Sequence, residues 1–394
     1  MSNLFIIADR LMLGKFNKNH IALLALIKNS QFNTGEFIDF NNIDLDFIYQ
    51  EAVHQAVIGI VSPEIPSGYC NFMWEQAILK QKSSHIRYCH FQNELICLLN
   101  NACIPFVIIK GNSAAICYRN PTLRNMGDVD FFVPNAYFET ANDLLLKNGY
   151  IWDHNTDRHI SYKKDGITFE LHKRFSHDID IENYLIEGVD SKEIVSIEGF
   201  EFPMLPKLSN GLVILDHIRN HLKSGIGLRQ IIDWMMFVYR NLDDEFWVKE
   251  FQPVVKGKGY ESLAVTMTRM CQLFLGLPET FTWCKDADIE LCNQLMNIIL
   301  FSGNFGVKNG KGNTVERVST SFRNEGFFKR LQLSGEHNWK AYHKHCFLKP
   351  FCWFYQLLRY AVQFVSMDRN AKLLKSDFDR SKERSNLLKK LNIY

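Results

Sequence analysis

The chain has 394 residues, with 45 Lys and Arg against 43 Asp and Glu, a formal net charge of +2. Hydrophobic residues make up 46% and charged residues 22%, which is globular usage and excludes a disordered, collagen-like or coiled-coil chain. The balanced charge lacks the concentrated basic surface of non-specific nucleic-acid binders, so no strong nucleic-acid signal is present. The length fits two domains or three, at roughly 100–200 residues each. The ten cysteines are scattered and form no C-x-x-C pair, which argues for reduced thiols and against a zinc ribbon. The apolar run from Leu4 to Ala8 is too short for a signal-peptide core, and Asp9-Arg10 ends it. A cytoplasmic protein is expected.

In chain order, apolar spacings of three and four predict a helix over 46–60 and one long or two short helices over 72–100. Phe72, Ile78, Leu79, Ile86, Phe91, Leu95, Leu98 and Leu99 are its expected core face. The run IPFVII at 104–109 reads as a buried strand ended by Gly111, and 112–119 as a short helix. DVDFFV at 128–133 is a second strand, followed by a helix over 136–147. Strands are expected at 150–153, 158–164 and 167–173, the last two joined by the hairpin turn Asp165-Gly166. Helical spacing returns over 212–222, 228–239, 244–255, 263–275 and 289–300. Residues 303–335, rich in Gly, Asn and Ser, read as a mobile connector. Residues 347–367 are strongly apolar and aromatic, and 368–394 carry eight Lys and Arg against four Asp and Glu.

The fold class that follows is α+β, a small mixed sheet flanked by N-terminal helices and a C-terminal helical bundle. The expected division is an N-terminal helical region (1–100), an α+β core (101–206), a helical domain (207–302), and a connector with a C-terminal helical region and basic tail (303–394).

The chemistry concentrates at Gly127-Asp128-Val129-Asp130-Phe131-Phe132-Val133. Strand side chains alternate faces, so Asp128 and Asp130 share one face, about 7 Å apart along the strand. Val129, Phe131 and Val133 point the other way, into a core. Two carboxylates on one strand face suit a hard cation such as Mg²⁺ (or Mn²⁺). In Ile167-Thr168-Phe169-Glu170-Leu171-His172, Glu170 and His172 share the face opposite Phe169 and Leu171. If that strand neighbours the first, Glu170 is the third acid. Upstream, Lys110-Gly111-Asn112-Ser113 leaves a strand and opens a helix, where glycine allows close backbone approach and free amides attract an anion. Lys110 and Arg124 bring positive charge to either side.

This order of strand, Gly and Ser turn, helix, D-h-D and distal carboxylate resembles the DNA polymerase β-like nucleotidyltransferase superfamily. More narrowly, I-K-G-N-S-A-A, then Y-R-N-P-T-L-R-N-M-G-D-V-D-F-F-V, then F-E-L-H is similar to an uncharacterised bacterial nucleotidyltransferase family with the pattern K-G, R-x-x-x-D-h-D and h-E-h-H. The resemblance covers roughly 100–240 and includes L-x-H-x-x-x-H at 215–221 and R-Q-h-h-D at 229–233. The chain departs from the superfamily's usual Gly-Gly or Gly-Ser turn by carrying Gly111-Asn112-Ser113.

The resemblance implies nucleotidyl transfer from a nucleoside triphosphate, such as ATP, to a hydroxyl acceptor with two metals. Asp128 and Asp130 would hold both ions and Glu170 the acceptor-side one. Lys110, Gly111, Ser113 and Arg124 would bind the nucleotide's phosphates. It also favours a place for His221 near substrate. The alternative is a protein that keeps the fold for binding or regulation without turnover.

Other readings are blander. His217 and His221 share a helix face but lack the H-E-x-x-H zinc pattern. Arg229 and Asp233, four apart, are either an intrahelical ion pair or part of the site. His159 begins a strand facing the site, and His172 is a partner of Glu170 or a proton-transfer group. Residues 347–367 read best as a core helix. Peripheral membrane contact through 347–394 is the less favoured reading.

Overall fold

The turn at Asp165-Gly166 sets the register of the sheet. Asp165 has φ 50° and Gly166 φ 71°, both left-handed as a tight hairpin turn requires. The turn pairs β4 (His159–Lys164) with β5 (Ile167–His172) in antiparallel register, and β3 (Ile151–Asn155) closes that edge. On its other side β5 runs parallel to β2 (Val129–Phe132), which runs antiparallel to β1 (Val107–Ile109). Then come β7 (Phe200–Met204) and β6 (Glu193–Ile197), giving the order β3-β4-β5-β2-β1-β7-β6. This is the expected α+β fold with a mixed sheet. The β6–β7 hairpin was not anticipated, because its turn is Glu198-Gly199 (φ 51° and 83°), which carries a weaker sequence signal than Asp-Gly.

The computed structural model describes residues 16–176, 178–223, 225–304, 308, 311–339, 341–342, 345–365 and 371–393. The N-terminal stretch 1–15 and part of the 303–335 connector lie outside these. Where that connector is described it is largely helical, in α11 (Lys311–Glu325) and Phe327–Asn338, and its polar residues Glu316, Thr320, Ser321 and Ser334 are buried, so its composition does not mark an unstructured link.

Strand alternation separates two cores. Ile108, Val129, Phe131, Val133, Phe169 and Leu171 pack with α3 (Phe72–Asn101) and α5 (Phe138–Lys147). Val107, Ile109 and Phe132 face the other way. They join a larger core built from α1 (Lys18–Phe32), α2 (Leu45–His54), α7 (Lys207–Leu222), α8 (Leu228–Asn241), α9 (Glu261–Phe274) and α10 (Ile289–Ser302). Two short elements complete the numbering, α4 (Gly111–Ala115) after β1 and α6 (Ile179–Asp190) before β6. Asp130 has the parity of Phe132, so the acidic face is the one roofed by α7 and α8.

Two helix expectations need correction. The 46–60 stretch breaks at Ala56 (φ 54°), ending α2 at His54 before a short turn of helix over Ile58–Val61. On α3, Phe72, Leu79 and Ile86 are exposed, while Trp74, Gln81, His85, Cys89 and Gln92 are buried with Leu95 and Leu99. The polar groups go inside because they hold the loops of the site. Gln81 Nε2 donates to the carbonyls of Thr122 (3.0 Å) and Arg124 (2.9 Å), and Gln92 Oε1 accepts from Asn112 Nδ2 (3.1 Å). No helix among the described residues is long and apolar enough to cross a membrane.

Candidate active site

Sheet register brings the acids together. Asp130 pairs with Ile109 on one side and Glu170 on the other, and Phe132 pairs with His172. Ligand oxygens of Asp128, Asp130 and Glu170 all lie within 4.8 Å of one another. A second, overlapping group does the same: His159, Glu170 and His172. His159 enters because β4 places it opposite His172, and the ring centroids are 4.9 Å apart.

The charges on this face are mostly answered. Lys110 has φ 53° and ψ −137°, a conformation natural to glycine, and the turn returns its ammonium onto Asp130 Oδ1. His172 Nε2 donates to Asp130 Oδ1 at 2.8 Å and lies 3.3 Å from Glu170 Oε2. His159 Nε2 is 3.6 Å from Glu170 Oε1, and its Nδ1 sits 3.3 Å from Thr156 Oγ1. Asp130 is 1% exposed and its Oδ2 has no hydrogen-bond partner among the described residues.

The pKa shifts follow from these contacts. Burial works against ionised Glu170, but the His172 hydrogen bond and the Lys110 charge override it and hold the carboxyl at about 2. Burial also disfavours charged His172, yet its bonds to Asp130 and Glu170 raise it. Lys110 is likewise raised against burial, by Asp130, Asp128 and Glu170. Asp128 is raised, by burial and by Asp130. His159 is lowered by burial, more than Glu170 restores.

Of the residues expected at the phosphates, Lys110 and Gly111 lie at the acids. Gly111 has φ 34°, and a β-carbon there would meet Met126 Cε at 3.3 Å. Ser113 and Arg124 do not reach the open face. Ser113 is fully buried and its hydroxyl donates to the Ile108 carbonyl at 2.6 Å, closing the turn after β1. Arg124 forms a buried two-pronged pair with Asp233 (Nε to Oδ1 2.7 Å, Nη2 to Oδ2 2.8 Å), which Tyr118 joins through its hydroxyl at 2.7 Å. Asp233 is therefore not the intrahelical partner of Arg229. Arg229 instead donates from Nη1 to the Asn125 carbonyl at 3.1 Å, and that nitrogen lies 3.7 Å from where a Gly127 β-carbon would stand. Among the described residues it has no ion-pair partner, and its charge favours ionised Asp128.

His221 is on α7, with its ring 4.3 Å from that of His217. Burial, Lys110 and Arg229 push it down to about 4. A spacing of R-Q-h-h-D hints at Arg229, but only the capture of Asp233 by Arg124 leaves that guanidinium to the acidic face.

The matched family model is decisive. A model described as "Uncharacterised nucleotidyltransferase" matches residues 44–276. The chain belongs to that nucleotidyltransferase family. The match spans the whole acidic face, the Lys110 turn and the roof of α7 and α8. No curated protein and no solved structure matches the chain.

The all-oxygen set of Asp128, Asp130 and Glu170, with Asp130 Oδ2 buried and unpartnered, fits a hard divalent cation. The overlapping group brings two imidazoles, which suit softer ions than Mg²⁺ or Mn²⁺. A cavity of about 670 Å³ lies elsewhere, against Phe16, Ile298, Arg380 and Lys389, and contains none of these groups.

Proposed function

We propose that the chain transfers a nucleoside monophosphate from a nucleoside triphosphate to a hydroxyl acceptor, and that its core belongs to the DNA polymerase β-like superfamily. The observation that supports this is the convergence of three carboxylates from two strands on one face beside a lysine turn, in a chain of a nucleotidyltransferase family. Asp128, Asp130 and Glu170 would hold Mg²⁺ or Mn²⁺. Such ions supply charge neutralisation at the phosphates and a more acidic acceptor hydroxyl.

The chain's own residues have separable tasks in this reading. Glu170, ionised throughout the neutral range, serves as a ligand and is a poor base. His159, kept neutral by burial and held by Thr156, can accept the acceptor's proton at Nε2. Lys110 and Arg229 supply the phosphate-directed charge that Ser113 and Arg124 do not. Lys110 answers Asp130 until a metal does, and is then available to a phosphate oxygen.

The test is incubation with each α-labelled nucleoside triphosphate, Mg²⁺ or Mn²⁺ and cell extract, followed by mass analysis of what gains label. Label is expected with the native chain and not with Asp128→Asn. Equal labelling by both would overturn the assignment, and no labelling together with no metal-dependent thermal shift would favour a binding protein.

A further inference from the structure

A second surface stands out, far along the chain from the acids. Helix α12 (Phe327–Asn338) and helix α13 (Cys352–Val365) pack back to back, close enough that a β-carbon on Gly335 would collide with the Cys352 carbonyl. Their inward contacts leave a large apolar face outside. Phe351, Phe354, Leu358 and Val362 advance by three, four and four residues along one face of α13 and the residue before it, and Phe347 precedes them in the 3₁₀ turn Cys346–Phe351. They are exposed, Phe347 at 72%, Phe351 at 57% and Val362 at 70%. Phe328, 68% exposed, extends the stripe across α12: its ring lies 6.0 Å from Trp353, which lies 5.7 Å from Phe354. Apolar surface this contiguous marks a site of contact.

The flanking charge says what the contact is. Over 327–365 the sequence carries Lys329, Arg330, Lys340, Lys344, Lys349 and Arg359 against a single acid, Glu336. Lys329 and Lys349, next to Phe328 and between Phe347 and Phe351, are exposed. The chain as a whole is nearly neutral, so this is a local excess. Phenylalanine and tryptophan among lysines and arginines is the composition of a helix lying at a lipid interface, aromatic rings at the headgroup boundary and cations on anionic headgroups. No helix among the described residues is long and apolar enough to cross a membrane.

We propose that the α12–α13 face docks peripherally on an anionic lipid bilayer, with Phe328, Phe351 and Phe354 at the acyl boundary and Lys329 and Lys349 on the headgroups. The inference does not depend on nucleotidyl transfer. It reverses the preference expressed by the sequence, which favoured a core helix: the apolar residues of 347–362 that would build such a core are on the outside.

The test is flotation of the full chain with vesicles of phosphatidylcholine alone and of phosphatidylcholine with about one third phosphatidylserine. Partitioning is expected on the anionic vesicles, weakened by salt, and at least about tenfold weaker on the neutral ones. Phe328→Ser with Phe351→Ser should reduce partitioning about tenfold or more, with an unchanged melting temperature since both rings are exposed. Should that double variant fail to fold, Lys329→Glu with Lys349→Glu gives a second reading, expected to abolish the preference for anionic vesicles. Three results would each overturn the proposal: no partitioning of the native chain on anionic vesicles, partitioning indifferent to a folded variant of either kind, or a concentration-dependent dimer in sedimentation that the serine variant abolishes. The last would mean that a second copy covers the face.

Discussion

The three carboxylates are chemically alike and energetically unlike. Asp130 is answered by Lys110 and His172, and Glu170 by His172 and His159, whereas Asp128 has no ion-pair partner among the described residues. A carboxyl whose folded pKa is raised lends stability only below its unfolded value, 3.8, and loses it as pH rises through the folded one. At neutral pH without metal, ionised Asp128 is therefore a cost, and Asp128→Asn should leave the melting temperature equal or higher. Asp130→Asn should do the reverse. It strands the buried Lys110 ammonium and removes a hydrogen-bond partner of His172, at a cost of about 3 kcal/mol. Calorimetry of both variants in EDTA distinguishes them, and a common direction would contradict the asymmetry. Glu170 is opposite in sign to Asp128. Its contribution is complete above 4.5 and lost as pH falls towards about 2, so the gap between native and Glu170→Gln in urea midpoint should be full at pH 7 and narrow as pH drops below 4.5. Period-2 alternation paired Asp128 with Asp130 and Glu170 with His172, and the β2–β5 pairing puts the two pairs on one face. Alternation could not reveal their compensation, which depends on the left-handed backbone at Lys110 and on the pairing of β4 with β5.

Among the elements, the loop over 121–127 is held less by its own sequence than by the helices around it. Gln81 of α3 bonds its carbonyls from one side, and Asp233 of α8 captures Arg124 from the other. Both partners are remote in sequence, so a scan of local motifs assigns Arg124 to phosphate and leaves Asp233 between an ion pair with Arg229 and a place in the site. The same distance explains the misread face of α3, where buried Gln81 serves a loop some forty residues away and buried Gln92 holds Asn112, twenty residues away. By contrast β4, β5 and their turn were legible because each signal is contained within fourteen residues, 159–172. The two arginines should therefore part company. Arg124→Ala leaves Asp233 buried with no counter-charge, only the Tyr118 hydroxyl bonded to it, and should cost about 3–5 kcal/mol of stability. Arg229→Ala leaves no buried acid behind and should cost little stability while weakening binding of a metal-bound nucleoside triphosphate about tenfold or more, the worth of one charged hydrogen bond. Calorimetric affinity beside a urea titration of each variant checks this. An Arg229→Ala protein with native affinity would remove it from the phosphate site.

At the scale of the molecule, the family match ends at residue 276 while the core does not. Leu387, Leu388, Leu391 and Ile393 are buried in the same apolar cluster as α7 and α9, carried there by the final helix, α14 (Ala371–Lys390). Within it Arg384 is wholly buried, pairing through Nη1 with Glu316 Oε1 at 2.8 Å and donating from Nε to the Leu222 carbonyl at 3.1 Å, at the end of the helix that roofs the acids. Charge dominates the sequence of this segment, and composition alone reads it as a solvated basic tail. Burial of one arginine and four aliphatic side chains shows a different role, since a buried ion must be paired to be tolerated. Arg384→Ala removes one partner and leaves Glu316, itself almost inaccessible, with the half-buried Arg380 alone at 3.4 Å. The expected loss is about 3 kcal/mol or more, in a single melting transition shared with the acidic face. Melting followed at the same time by circular dichroism and by loss of metal-dependent protection reads both. If Arg384→Ala melts α14 in a separate early transition and the metal response survives it, the final helix is an appendage and not part of the body that positions the acids.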